Sequence, residues 1–212
     1  MAKPPAATDH KPSTRGNMSE FELPLSVVLG IGLAAATGFR VFLPMLVASA
    51  AAYFGHLPLS DSFAWLGSGP ALTMLSVATL IEILAYYIPG LDNLLDTLAT
   101  PAALVAGTIV SAAVMTDVPP MVKWTAAIIA GGGVAGLTQG ATAIVRANST
   151  VFTGGIGNFV ISTAELIGAL VVSLLALAAP LAALALIILF LWLMLRLMRH
   201  LFRGRAQSNI QK

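Results

Sequence analysis

Between Pro180 and Leu195 the chain reads "PLAALALIILFLWLML", with no charged, hydroxyl or amide side chain. A hydrocarbon core about 30 Å thick is crossed by about 20 apolar residues in a helix rising 1.5 Å per residue. Six stretches meet or approach that demand: 24–54, 69–90, 98–116, 121–145, 158–179 and 180–199. Backbone polar groups find no water in a bilayer, so such stretches cross as helices. The chain is 58% hydrophobic and only 9% charged, against about 25% charged in soluble domains. The expected fold class is an all-α polytopic membrane protein of about six transmembrane helices.

The polar residues mark the ends of that domain. Residues 1–20, rich in Pro, Ser and Thr, read as a disordered tail, and Met18 opens a second plausible start. A transmembrane domain follows over 21–200, then a basic tail over 201–212. The run from Pro24 is too long for a signal peptide and is interrupted by Arg40 and Pro44, so it reads as one tilted or broken span. Lys3, Lys11 and Arg15 precede the spans, and Arg196, Arg199, Arg203, Arg205 and Lys212 end or follow them. Positive charge accumulates on the cytoplasmic side. Both termini are therefore expected in the cytoplasm of a bacterium, with the protein multi-pass in its inner membrane. Lys123 opposes this mildly. Arg146 reads as an inside-loop residue. The basic tails read as topology signals, and no nucleic-acid partner is expected.

Two halves of the chain resemble each other. Gly30, Ala34 and Gly38 match Gly132, Gly136 and Gly140, each set a stripe of small residues one helical turn apart that admits close helix packing. Thr79-Leu-Ile-Glu82 matches Ser162-Thr-Ala-Glu165, and "LATPAALVA" matches "LAAPLAALA". Residues 24–117 and 121–199 thus read as two three-span repeats, inverted in the membrane, with broken or re-entrant helices. Transporters built this way place their sites between the repeats. Ala, Leu and Gly dominate both halves, so chance likeness is the competing reading.

The candidate chemistry lies in a few charges. Arg40, near the middle of the first span, costs at least about 2.5–3.5 kcal/mol there unless paired or hydrated. Glu82 and Glu165 reach similar depths, about 10 and 12 Å from the ends of their spans. They read either as proton-exchanging acids or as structural ones. Asp92 and Asp96, four residues apart with Asn93 beside them, form a hard-oxygen face suited to a cation, or the wet face of a short interfacial helix. There is no cysteine, and His10, His56 and His200 lie apart in tails and loops, so neither a metal site nor a cofactor is expected. No nucleophile–base pair is visible, and a lipid-acting enzyme ranks last. "GGGVAG" has no strand before it and fails as a dinucleotide motif. "TGGIGN" is a flexible link or an anion cradle.

The stretches "GLAAATGFRVFLP", "EILAYYIPGLDNLLDTLATP" and "AIIAGGGVAGLTQGAT" together resemble a bacterial integral-membrane family known as domain of unknown function 4126, over about residues 24–199. The resemblance implies a membrane location and transfers no site residue. Two functional readings follow from the residues. One is a small carrier or channel for a cation or proton-coupled solute, with a site at Arg40, Glu82, Asp92, Asn93, Asp96 and Glu165. The other is a membrane scaffold whose buried charges are structural. The bilayer is the expected partner. Homo-oligomers packed through the glycine stripes are compatible with the sequence but not indicated by it.

Overall fold

The computed structural model describes residues 22–88, 91–116 and 118–208, with residues 22, 23, 92, 93, 198 and 200–208 described through their backbone alone. The expected disordered tail, residues 1–20, lies outside the described residues. The helices are α1 (Glu22–Thr37), α2 (Phe42–Tyr53), α3 (Gly69–Tyr86), α4 (Leu91–Val114), α5 (Pro120–Ala126), α6 (Gly133–Thr153), α7 (Ile156–Ala178) and α8 (Pro180–Ser208). A 3-10 turn, Asp61–Gly67, precedes α3, and a π turn, Ala127–Gly132, joins α5 to α6 without interrupting the helix. Five segments are long and apolar enough to cross a membrane: Gly69–Tyr86, Leu94–Val114, Pro120–Thr153, Ile156–Ala178 and Pro180–Leu197.

The first expected span is broken into two helices, each shorter than the five long apolar segments. α1 has 16 residues, about 24 Å of helix, and α2 has 12, about 18 Å. The two lie side by side as a hairpin. Near the start of α1, Gly30 packs on Ser111 in the last turns of α4. Just past α2, the Ser60 amide donates to the Ala113 carbonyl, 2.8 Å, at the same end of α4. Leu25 of α1 and Ala51 of α2 line one vestibule with Val114, Ala178 and Pro180. Both ends of the hairpin therefore sit at one end of the bundle, and its turn, Gly38–Val41, lies deep within it. The two ends of the described chain emerge at opposite ends of the bundle.

Local sequence explains the turn. At Gly38 a Cβ would stand 2.5 Å from the Ala135 carbonyl oxygen and from Thr138 Cβ, so only glycine allows α6 this close. Pro44 occupies the third position of α2, where a helix has no intrahelical acceptor for an N–H and proline is tolerated.

Three other boundaries differ from the sequence reading. α4 begins at Leu91, so Asp92, Asn93 and Asp96 belong to the crossing helix rather than to a separate interfacial one. Pro101 lies within α4, where the Thr100 hydroxyl takes the Asp96 carbonyl at 3.3 Å. α6 runs on to Thr153, which carries Arg146 into the helix rather than a loop. α8 reaches Ser208, well into the expected tail. The "TGGIGN" link is two left-handed glycines, Gly154 (φ 63°) and Gly155 (φ 94°). The following amides are satisfied locally, Gly157 by the Thr153 hydroxyl and Asn158 by the Gly155 carbonyl.

The core is small-residue packing around α1. Leu33, Ala34, Ala35 and Ala36 are fully buried, and α1 touches α4, α6, α7 and α8. Leu80, Ile81, Leu84, Ile129, Val160 and Leu181 are all more than half exposed, as befits faces turned to lipid tails.

A buried charge network at the hairpin tip

Five charged side chains converge where the hairpin turns. Arg40 is 1% exposed, Arg146 2%, Glu165 4%, Glu82 7% and Asp96 15%. They come from the turn and from α6, α7, α3 and α4, so the network ties the hairpin to four crossing helices.

Glu82 answers the hairpin's own need. A helix that begins inside a membrane leaves its first N–H groups without acceptors. The Glu82 carboxylate accepts from both: the Val41 amide donates to Oε1 at 2.7 Å and the Phe42 amide to Oε2 at 3.1 Å. A carboxylate on a helix N-terminus also gains from the partial positive charge there. Glu82 thus acts as an N-cap supplied from another helix.

Glu165 is held differently. It pairs with the Arg146 guanidinium through a direct hydrogen bond, and Arg40 Nη2 stands 3.8 Å from its Oε2. Arg146 Nε also lies 3.2 Å from Asp96 Oδ2. Ser162, one turn before Glu165, serves both arginines: its carbonyl accepts from Arg40 Nη2 at 2.8 Å and its hydroxyl from Arg146 Nη1 at 3.3 Å. α3 and α7 run unbroken through Thr79 and Ser162.

Tyr86 completes the network. The guanidinium carbons of Arg40 and Arg146 lie 3.8 and 4.5 Å from its ring centroid. An aromatic face attracts a cation, more so when both are desolvated. This contact matters for Arg40, whose Nε and Nη1 have no hydrogen-bond partner among the described residues.

The structure brings Arg40, Glu82, Asp96 and Glu165 together. The side chains of Asp92 and Asn93 lie outside the described residues. Sequence reasoning missed Arg146 and Tyr86. A signal for Arg146 existed: Gln139, Thr142 and Arg146 recur at helical spacing, and all three are buried on one face of α6. Tyr86 carried none, since an aromatic near a helix end reads as an interfacial anchor. Of the glycine stripes, Gly30, Gly38, Gly132 and Gly136 meet neighbouring helices closely, and Ala34 is fully buried. A Cβ on Gly140 would meet nothing within 4 Å. Among the described residues, no group of three or more His, Asp or Glu is placed to hold a metal ion.

Two openings border the hairpin. A vestibule of about 1070 Å³ lies at its base, lined by Leu25, Ala51, His56 and Pro180 among others. A cleft of about 320 Å³ lies at its tip between α3 and α4, lined by Phe42, Ile81, Glu82, Tyr86, Leu95 and Leu98 among others.

No curated protein and no solved structure matches the chain. Residues 27–200, which hold the buried charges and the re-entrant turn, match the model of one family, and the chain belongs to that family, the domain of unknown function 4126.

Proposed function

We propose that this protein is a small carrier or channel of the bacterial cytoplasmic membrane, for a cation or a proton-coupled small solute. The observation that carries the reading is the hairpin tip: a broken helix pair turning at membrane depth, among ionisable side chains, with an opening at each end. Irregular backbone at that depth is tolerated only where protein buries it or where it lines a cavity, and buried ionisable groups mark ion and substrate paths. The site consists of Arg40, Glu82, Asp96 and Glu165, with Arg146 and Tyr86 added and Asp92 and Asn93 retained as candidates. The C-terminal end belongs in the cytoplasm, because Arg196, Arg199, Arg203, Arg205 and Lys212 cluster there.

The test is flux in proteoliposomes under an imposed proton gradient. Glu82→Gln abolishes proton-coupled movement in a folded protein if the reading holds. Unchanged flux in both Glu82→Gln and Glu165→Gln would sink it. One observation favours the scaffold reading: Glu165 is engaged by two arginines, as a structural ion pair is. Under that reading both variants lower stability or lose a partner in pull-down, and no flux is measured for any variant.

A further inference from the structure

Counted together, the described side chains of the network hold three acids, Glu82, Asp96 and Glu165, against two cations, Arg40 and Arg146. Glu165 and Asp96 each stand within ion-pairing distance of an arginine. Glu82 does not. Its hydrogen bonds come from two backbone amides of the hairpin, and it alone of the three borders the α3–α4 cleft. In a low-dielectric setting an uncompensated charge is costly, and one proton would balance these five described side chains.

We propose that Glu82 is a proton-binding latch on the re-entrant hairpin. Ionised, it holds the tip through two N–H bonds, to Val41 and Phe42. On taking a proton from water at the nearby end of α3, about 6 Å away along the helix, one oxygen becomes a hydroxyl donor. One of the two amides then loses its acceptor, and the tip is free to move toward the cleft. The groups around Glu82 allow this. Arg40 from the turn and Glu165 from α7 are its charged neighbours in the network. Tyr86 lies one turn further along α3, beneath the guanidinium groups of Arg40 and of Arg146 from α6, and Arg146 in turn meets Asp96 of α4. The remaining α4 side chains toward it, Leu95, Leu98, Ala99 and Ala102, are apolar.

This deepens the carrier reading by naming its coupling group, and the latch is measurable without any flux. The experiment uses the full chain in lipid nanodiscs. Hydrogen exchange of the segment holding Val41 and Phe42 is followed by mass spectrometry across pH, corrected for the intrinsic exchange rate. Infrared difference spectra follow the protonated-carboxyl band over the same range. Protection in the wild type should fall roughly tenfold or more as the carboxyl band grows, the scale of one lost charge-assisted bond. Glu82→Gln, which resembles the protonated acid, should remove the band and leave the segment weakly protected at every pH. Glu82→Asp keeps a carboxyl and should shift the band, which secures the assignment if the Gln variant misfolds. Protection that does not change with pH in the wild type overturns the proposal, as does a band that persists unchanged in Glu82→Gln and Glu82→Asp. A latch that titrates without any flux would leave the proposal standing and remove the carrier reading.

Discussion

Glu82 and Glu165 end matching tetrapeptides in the two halves of the chain, and both are buried. Glu82 accepts from backbone, at the start of a helix that begins inside the bundle. Glu165 sits between two guanidinium groups. The difference follows from the element that opens each half. In the first it is a hairpin that turns back and exposes N–H groups. In the second it is a continuous helix, Pro120–Thr153, which exposes none at that depth and instead delivers Arg146. One buried acid serves as a cap and the other as a counter-ion.

The sharpest way to break that comparison is Glu165→Gln. It leaves two buried arginines short of an acid, and removing one partner of a buried pair costs about 3–5 kcal/mol. Chemical or thermal unfolding in detergent should show a loss on that scale. An effect as small as that of Glu82→Gln would mean the two acids are equivalent after all.

Gly38 and Gly140 hold matched places in the two stripes, which extends the contrast to packing. Gly38→Ala must push a methyl against the backbone of α6, and overpacking of this kind costs about 1–3 kcal/mol. The same unfolding measurement should show it. Glu82→Gln comes next, at about 1–2 kcal/mol, because glutamine keeps one acceptor for the two amides. Gly140→Ala is the smallest effect. With open space around it and a helical backbone, alanine should stabilise by up to about 1 kcal/mol. If Gly140→Ala instead destabilised as much as Gly38→Ala, the stripes would be symmetric and the two halves more alike than their first elements suggest.

Much of the fold was legible because apolar run length is a local property. The spans from 69 onward lie where the runs place them, with ends shifted by a few residues at α3 and α7 and by more at α4, α6 and α8. The ends moved because a helix continues through polar residues when neighbouring helices bury them, as α6 does through Gln139, Thr142 and Arg146. Arg40, Glu82 and Glu165 stood out as charges in greasy surroundings. Arg146 did not, because a charge at the edge of an apolar run looks like a loop until a partner is seen. Tyr86 acquires its role only from the two arginines that reach its ring.

The sequence by itself determined the solvent and the secondary structure: a bilayer, helices, and a first apolar run interrupted at Arg40 and Pro44. It left open whether that run tilts across the membrane or breaks. Only tertiary structure decided that it folds back. A break inside a membrane is stable only if its freed N–H groups find acceptors, and the acceptor is a carboxylate 41 residues further along the chain. Local pattern marks where a helix can stop. Whether it does depends on what another helix brings to that depth.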